Sequence, residues 1–268
     1  MHAGISDWRY CVGCGVALLT ALLWCSSTLG ADTQTWRHSL SYLHGKDYQL
    51  GASHRQLLTY EVAANGSVGD LFGFIDFSED LNGANKGRYE WYGELSPRWR
   101  FWTSDDNAAP WRHLYLAGNL ERGRKWHNQP AVREVEANLI GIGTDWSVPG
   151  FRFLRSNVYW RDTRTVSAIS GQSLRAGETV QITLSWALPF SIDDQHFLFD
   201  GFFDWADNEG KANNWILAAP QLKWDLCQQL GARAGRCYLG IEQQYWKNKT
   251  AVDGVRENVT QLLLKWHF

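Results

Sequence analysis

The last ten residues of the chain alternate strictly between two kinds of side chain. If this segment is extended, its two faces carry Thr260, Leu262, Leu264, Trp266 and Phe268 on one side, and Val259, Gln261, Leu263, Lys265 and His267 on the other. As a sheet edge in water, the first face would promote aggregation. In a bilayer the apolar face meets lipid and the polar face lines a lumen. The segment therefore favours a membrane strand over the alternative, the last amphipathic strand of a soluble sandwich.

Aromatic residues make up 14% of the 268-residue chain, with 16 Trp and a single Met. Trp and Tyr in such numbers are typical of the girdles at two membrane interfaces, where an apolar ring and a polar edge are both satisfied. A carbohydrate-binding surface would also explain them. The net charge of −2 gives no electrostatic reason to expect nucleic acid as a partner.

Residues 1–31 have the pattern of a secretory signal peptide. Arg9 supplies positive charge, Val16–Trp24 is apolar, and Ser26–Ala31 is rich in small residues, which predicts cleavage after Ala31. The apolar run is shorter than the roughly 20 residues that a transmembrane helix needs. Since no later segment has such a run, a membrane-resident chain must form a closed barrel. We expect residues 32–268 to be that barrel.

After Ala31, apolar-alternating runs are separated by polar, Gly-rich connections. The runs are Gln34–Leu43, His54–Ala63, Asp70–Phe77, Tyr89–Thr103, Arg112–Leu120, Arg133–Trp146, Gly150–Arg161, Glu178–Leu188, Gln195–Trp205, Trp215–Cys227, Cys237–Lys247 and Val259–Phe268. Their number is twelve, and single-chain bacterial barrels have even strand numbers. The sequence predicts an all-β fold, a twelve-stranded antiparallel transmembrane β-barrel of the bacterial outer membrane. Short, evenly spaced strands also occur in soluble sandwiches.

The connections fall into two alternating classes. If the chain ends in the periplasm, the periplasmic turns are Asn65–Ser67, Asp105–Pro110, Ser147–Gly150, Pro189–Asp194 and Cys227–Cys237. The outward loops are then Gly45–Ser53, Ser78–Gly87, Glu121–Ala131, Thr163–Gly177, Ala206–Asn214 and Asn248–Asn258. The second class is mostly longer and richer in charge and Asn, as extracellular loops are. The long Cys227–Cys237 turn is the exception.

Two of the five cysteines remain after the predicted signal peptide is removed, Cys227 and Cys237. They stand at the ends of two adjacent predicted strands in an exported protein, which predicts a disulfide. In the chain-entropy model, closing so short a loop stabilises the fold by about 3 kcal/mol. No His or third Cys accompanies them at ligand spacing, so we expect no metal site and no cofactor.

Several strands place ionisable and aromatic side chains on the face opposite the lipid. A charge that faces lipid at the midplane costs about 2–4 kcal/mol, so a barrel must turn these residues inward. The lumen-facing candidates for substrate binding are Arg55, Thr59, Glu61, Phe74, Asp76, Tyr92, Glu94, Arg98, Arg100 and Asp204.

Two hypotheses describe such an interior. In the first, Glu–Arg pairs fill the lumen and satisfy one another, as in small closed barrels. In the second, the lumen is a narrow channel whose aromatic rings stack on a flat solute while polar groups bond to its edges. Stacking of a base on an aromatic ring contributes about 1–3 kcal/mol.

Four segments, Glu90–Arg98, Leu116–Arg124, Gly141–Trp146 and Phe202–Trp205, resemble the Tsx/OmpK family of nucleoside-specific channel-forming proteins of the Gram-negative outer membrane. The resemblance runs from about Trp36 to Phe268 and keeps the order of these segments. It implies a twelve-strand barrel and passive diffusion of nucleosides or similar small solutes. The expected surroundings are outer-membrane lipids and lipopolysaccharide, with insertion machinery engaging the last strand through Phe268. Nucleic acid is not an expected partner.

An enzyme barrel of the phospholipase or protease type is the main alternative. It would need a Ser–His or Asp–His arrangement at the rim. His113 and the His127–Gln129 segment are the nearest candidates, but no Ser lies in a recognisable partner motif. A closed-lumen binding or adhesion barrel is a third possibility. We expect a channel and not an enzyme.

Overall fold

The computed structural model describes residues 35–106, 109–125, 134–166, 173–210 and 213–268, and the predicted signal peptide lies outside them. Within these ranges, thirteen strand segments form a single sheet. They are β1 (Thr35–Lys46), β2 (His54–Gly66), β3 (Gly69–Asp80), β4 (Tyr89–Thr103), β5 (Trp111–Lys125), β6 (Glu134–Trp146), β7 (Phe153–Val166), β8 (Ser173–Ile192), β9 (Gln195–Ala206), β10 (Trp215–Ala218), β11 (Gln221–Asp225), β12 (Cys237–Lys247) and β13 (Arg256–His267).

β10 and β11 are two halves of one crossing strand. Both pair with β9 on one side and with β12 on the other. Ala219 and Pro220 interrupt this strand, because proline has no N–H to donate to the ladder. Gly201 of β9 faces the interruption, where a Cβ would come within 2.4 Å of the Ala219 carbonyl oxygen. The described part of the chain thus has twelve crossing strands, as the sequence predicts.

The sheet closes on itself. β1 pairs antiparallel with β2 on one edge and with β13 on the other, with Tyr42 opposite Leu264. Every consecutive pair of crossing strands is also antiparallel, so no edge is left unpaired within the described residues. The fold is a closed antiparallel barrel.

Exposure alternates along the strands with a period of two. In β13, Leu262 and Trp266 are 55% and 48% exposed, whereas Gln261 and Lys265 are 1% and 6% exposed. Successive side chains of a strand point to opposite faces of a sheet. The exposed, largely apolar face is therefore the outside of the barrel, and the polar face lines the lumen.

β1 begins and β13 ends at the same end of the barrel, here called the terminal end; the opposite end is called the loop end. At the terminal end, Ser67 and Val68 connect β2 to β3, and Asp193 and Asp194 connect β8 to β9. At the loop end, short 3-10 helices at Gly83–Asn85 and Lys249–Ala251 lie in two connections.

Several strands extend beyond the predicted runs. β5 reaches Lys125, β7 reaches Val166 and β8 covers Ser173–Ile192, so parts of the predicted connections are strand. Beyond the apolar band, charged residues pair across the ladder, as Arg122 does with Glu136 at 3.2 Å. Backbone hydrogen bonds continue there although the hydrophobic alternation ends. The predicted Trp215–Cys227 run is one crossing strand, which is interrupted at Ala219 and Pro220 and followed from Leu226 by a short helix.

That helix, α1 (Leu226–Gln229), opens the connection between β11 and β12. The Cys227 and Cys237 sulfurs are 2.11 Å apart, which confirms the predicted disulfide. The Asp225 carboxylate accepts hydrogen bonds from the backbone N–H groups of Gln228 and Gly235, at 3.1 and 2.6 Å. The connection is thereby tied at both of its ends. Among the described residues, no helix is long and apolar enough to cross a membrane.

Candidate functional site in the barrel lumen

Strand register puts all ten predicted site residues on the inner face. They belong to β2 (Arg55, Thr59 and Glu61), β3 (Phe74 and Asp76), β4 (Tyr92, Glu94, Arg98 and Arg100) and β9 (Asp204). Their outward neighbours include Leu58 and Trp99, which are 43% and 60% exposed. The inward placement agrees with the prediction from alternation. A role of these residues in binding stays a prediction.

An aromatic strip, made of Phe72, Phe74 and Tyr92, crosses β3 and β4 on the inner face. The ring centroids of Phe72 and Phe74 are 6.1 Å apart, and those of Phe74 and Tyr92 are 6.0 Å apart. Although Phe72 points inward, it is 37% exposed. The strip therefore borders accessible space within the barrel.

Hydrogen-bonding groups lie directly beside this strip. The Tyr92 hydroxyl donates to Glu94 Oε1 at 2.7 Å, and Asn119 Nδ2 donates to Glu94 Oε2 at 2.8 Å. Opposite Tyr92 in the register is Asp76, which accepts a 2.5 Å hydrogen bond from the Thr59 hydroxyl. Neutral donors thus hold both carboxylates in place. Aromatic faces and polar edges share one part of the lumen wall.

A second set of contacts continues around the wall from β5 to β9. The Arg161 guanidinium donates to both oxygens of Glu121, at 2.6 and 2.8 Å, and to Gln181 Oε1 at 2.7 Å. Gln181 in turn donates to Thr183, whose hydroxyl donates to Asp204 Oδ1 at 2.5 Å. Arg161 and Glu121 are both buried. Pairing and hydrogen bonding offset the desolvation of the buried charges.

A third set joins the two chain ends of the sheet. Lys265 of β13 pairs with Glu61 of β2, which also accepts a 2.7 Å hydrogen bond from the Ser39 hydroxyl. Lys223 of β11 pairs with Asp200 of β9 at 2.6 Å. The ion pairs of this set, like the pair of Arg161 and Glu121 in the second set, join strands that are adjacent or separated by one strand. They follow the wall and do not cross the lumen.

Nearer the terminal end, a group called here the Arg98 cluster reaches further around the barrel. Arg98 donates to both oxygens of Asp70, at 2.9 and 2.6 Å, and to Asp145 Oδ1 at 2.9 Å. Its guanidinium carbon lies 4.1 Å from the Tyr115 ring centroid. Arg155 of β7 comes within 3.7 Å of Asp70 on β3, four strands away. Charged side chains therefore narrow the lumen at this level.

Two of the predicted site residues make their contacts at the ends of the barrel. Arg100 donates to the carbonyl oxygens of Gly66 and Ser67, at 2.7 and 2.8 Å, and so holds the β2–β3 turn. Arg55 pairs with Asp80 at 3.1 Å and donates to the Leu50 carbonyl oxygen at the loop end. Neither belongs to the aromatic strip or to the contacts beside it. The structure thus separates the ten candidates into a central group and two end groups.

A family model described as nucleoside-specific channel-forming protein, Tsx, matches residues 33–264. The chain belongs to this family. No curated protein matches it.

Among solved structures, the NanC porin has a TM-score of 0.47 at 10% identity, covering 87% of this chain and 99% of that chain. The KdgM porin has a TM-score of 0.44 at 10% identity, covering 86% and 99%. The translocator domain of the autotransporter NalP from Neisseria meningitidis has a TM-score of 0.43 at 12% identity, covering 96% of each chain. The family assignment rests on the family model alone.

In this member of the Tsx family, the sequence reasoning missed several residues that complete the site. Asn119, Arg161, Gln181 and Lys223 were not among the candidates, yet they hold Glu94, Glu121 and Asp200. The same alternation would have found them, since Asn119 and Glu121 share the inner face of β5.

Two histidines of the Tsx-family barrel lie beside hydroxyl groups, which is part of the arrangement that an enzyme would need. His113 Nδ1 lies 3.0 Å from the Thr103 hydroxyl, and His127 lies outside the described residues. Ser191 Oγ and His196 Nδ1 are 2.8 Å apart. Within the described ranges, no carboxylate bonds to His196, so the orienting acid of a triad is missing there.

Proposed function

We propose that this chain is an outer-membrane channel for the passive diffusion of nucleosides and similar small solutes. The observation that carries the proposal is the aromatic strip of Phe72, Phe74 and Tyr92, which borders accessible space in the lumen of a Tsx-family barrel. A nucleoside base presents a flat face that stacks on such rings. Its ribose hydroxyls and base edges are hydrogen-bonding groups that match the carboxylate and carboxamide of Glu94 and Asn119.

The course of the ion pairs supports an open passage through the central part of the lumen. Arg161 with Glu121, and Lys265 with Glu61, join strands separated by a single strand, so these pairs run along the wall. The Arg98 cluster then restricts the passage by size and charge. A solute that is flat, polar and uncharged is stabilised by the strip without having to break these pairs. The transport is driven by the solute gradient, with no cofactor, no energy coupling and no chemical step.

The proposed orientation places the terminal end in the periplasm and the loop end outside the cell. The precursor would be exported by residues 1–31 and cleaved after Ala31. Outward side chains such as Leu262 and Leu264 would contact lipid, and Trp266 would lie in the interface. Lipopolysaccharide would surround the loop end, and the insertion machinery would bind the last strand through Phe268.

A planar-bilayer recording with purified protein tests the function. We expect single-channel steps whose current falls as millimolar adenosine or thymidine is added, because a bound nucleoside obstructs ion flow. A conductance that ignores both nucleosides would contradict the channel proposal. Hydrolysis of lipid or peptide by the same preparation would favour an enzyme barrel instead.

A further inference from the structure

Two cations lie side by side on the outer face of the barrel at the loop end. Lys247 ends β12, Arg256 begins β13, and the strand register puts them directly opposite each other. Both point outward, because Gln261 and Lys265 of β13 point inward and successive side chains alternate between the faces. Arg256 is exposed and Lys247 is half-buried. Together they are called here the cation pair.

The cation pair has no carboxylate beside it. Among the described residues, neither Lys247 nor Arg256 has a hydrogen-bond or ion-pair partner for its side chain. Glu257 lies on the inner face and pairs with Lys249. Along the described lengths of β1, β12 and β13, no outward position carries Asp or Glu. Like charges directly opposite each other destabilise two paired strands, so an anion bound between them would be stabilising.

Outward cations at the loop end of β5 have a different environment. Arg122 and Arg124 lie opposite Glu136 and Glu134 of β6, and each forms an ion pair with a nitrogen–oxygen distance of 3.2 Å. Over their described lengths, β12 and β13 offer the cation pair no such partner. The uncompensated positive charge is therefore a property of the β12–β13 hairpin and not of every outward cation at this end.

A polar level lies next to the cation pair, on the side of the terminal end. The register puts Tyr245 opposite Asn258 and Gln243 opposite Thr260. The Thr260 hydroxyl donates to Gln243 Oε1, and Gln243 Nε2 donates to Asn258 Oδ1, both at 2.6 Å. In the part of the chain that the structure describes, no protein group accepts from Asn258 Nδ2. This level thus offers a phenol and amide donors to the oxygens of a ligand.

Still nearer the terminal end, the outer face of the same two strands is apolar. Ile241 is opposite Leu262, Leu239 is opposite Leu264, and all four are exposed. Arg256 and Trp266 are ten residues apart on β13. For a strand tilted by about 40°, this separation is about 25 Å of height, which equals the apolar band of outer-membrane barrels. The cation pair therefore lies at the headgroup level of the leaflet at the loop end.

We propose that the cation pair and the polar level beside it bind a phosphate-bearing lipid of the outer leaflet, of the lipopolysaccharide class. The inference rests on the proposed function only in placing the barrel in the outer membrane with its loop end outward. The order of groups along β12 and β13 matches such a lipid, with acyl chains on the apolar face, sugar hydroxyls at the polar level and phosphate at the cation pair. Lys and Arg form charge-assisted hydrogen bonds to phosphate oxygens and attract anionic headgroups.

The chain offers a matched pair of double variants for the test. Lys247→Gln with Arg256→Gln removes the cation pair. Arg122→Gln with Arg124→Gln removes two outward cations that are paired with carboxylates at the same end of the barrel. Both double variants change the net charge by the same amount. Far-UV circular dichroism checks that each keeps the strand content of the wild type.

Purified protein in detergent is titrated with diphosphoryl lipid A, and the bound lipid is measured by native mass spectrometry. Loss of the cation pair should raise the Kd for lipid A about tenfold or more, because two basic residues at the headgroup level are removed. The control double variant should stay near the wild-type value. Equal Kd values in the two double variants would overturn the site, as would equally tight binding of lipid A without its phosphates. Displacement of lipid A by millimolar inorganic phosphate would identify the free anion as the ligand and overturn the lipid assignment.

A single substitution distinguishes a lipid site from a structural role. Arg256→Glu puts a carboxylate opposite Lys247, as Glu136 is opposite Arg122. The thermal midpoint in lipid-free detergent should then rise by about 1–4 °C while lipid A binding weakens, because an opposite-charge pair replaces a like-charge pair. A fall in both the midpoint and the binding would overturn the site.

Nucleoside block in a phospholipid bilayer is measured separately. A wild-type current that ignores nucleosides, in protein that binds lipid A, would contradict the channel function alone. Intact nucleoside block with equal lipid A binding in the two double variants would overturn the lipid site alone.

Discussion

The hydroxyl of Tyr48 donates a 2.6 Å hydrogen bond to Oε1 of Gln261, which lies 213 residues later in the chain. Tyr48 belongs to the connection between β1 and β2, and it is only 5% exposed. The connection therefore folds into the mouth at the loop end. Gly45 makes this possible, since a Cβ there would come within 3.0 Å of the Tyr48 hydroxyl and of Gln261.

Two cations lie close to the Tyr48 ring. The Arg55 guanidinium carbon lies 5.3 Å from its centroid, and Lys249 Nζ lies 5.8 Å away. Lys249 pairs with Glu257, which also accepts a 2.6 Å hydrogen bond from the backbone N–H of Gln49. The connection is thus fastened at two points, and it restricts access to the lumen from the loop end.

Tyr48→Phe should loosen this fastening while keeping the ring. Loss of a buried hydrogen bond costs about 0.5–1.5 kcal/mol, so we expect the open fraction of the mouth to increase by about twofold to tenfold. Single-channel recordings would show this as longer high-conductance intervals. Tyr42→Phe is the matched control, because Tyr42 also loses a hydroxyl bond, to Gln56, but on the outer face. Equal effects of the two substitutions would contradict the gating role of the Tyr48 bond.

The hydrogen bond between Tyr48 and Gln261 should also persist at alkaline pH. Burial raises the pKa of the Tyr48 phenol above its ordinary value near 10, so the hydroxyl remains a donor where exposed tyrosines ionise. Since the folded pKa is the higher one, the stabilisation is complete below about pH 10 and declines above it. The difference in free energy of unfolding between wild type and Tyr48→Phe should therefore shrink only above about pH 10.

Substitutions in the aromatic strip should weaken the binding of nucleosides. Tyr92→Ala and Phe74→Ala each remove a stacking face worth about 1–3 kcal/mol, so each should raise the half-blocking nucleoside concentration about fivefold or more. Ion conductance should change by a smaller factor than the half-blocking nucleoside concentration. Phe77→Ala is the control on the same strand, because Phe77 points outward and is 48% exposed. Unchanged block in the two inner variants would remove the strip from the binding site.

A substitution at Glu94 tests the effect of lumen charge separately from the effect of aromatic stacking. Glu94→Gln keeps an oxygen that accepts from the Tyr92 hydroxyl but removes a negative charge from the lumen. We expect the cation-to-anion permeability ratio to fall, while the half-blocking nucleoside concentration changes by less than in Tyr92→Ala. Reversal potentials in a salt gradient measure the ratio. A permeability ratio equal to that of the wild type would show that Glu94 does not influence permeating ions.

The alternation of side chains predicted the barrel, its twelve crossing strands and the inward face of every candidate residue, because a period of two follows directly from strand geometry. The partners of those residues could not be predicted in this way. Arg98 pairs with Asp70 and Asp145, which depends on register and on contacts between strands far apart in the chain. The infolded Tyr48 connection was likewise missed, since its anchor, Gln261, lies at the other end of the sequence.

An epitope tag tests the proposed orientation. A tag inserted between Val166 and Ser173 lies at the loop end, and one inserted at Ser147–Gly150 lies at the terminal end. We expect antibody to reach the first tag on intact cells, and the second only after the outer membrane is opened. The reverse pattern would show that the terminal end faces outward. Folded barrel content of both tagged proteins is the control.

Loss of a buried ion pair should lower the free energy of unfolding far more than loss of an exposed one. The side chains of Arg161 and Glu121 are 7% and 6% exposed, whereas those of Arg122 and Glu136 are 40% and 45% exposed. Arg161→Leu leaves a buried carboxylate without its cation, at a cost of about 3–5 kcal/mol. Arg122→Leu removes only a solvent-screened pair, at a cost of about 0–1 kcal/mol. Urea unfolding of the two variants in lipid vesicles measures the difference. Similar losses would mean that water reaches Glu121, and that the lumen at this level is wider and wetter than the contacts of Arg161 indicate.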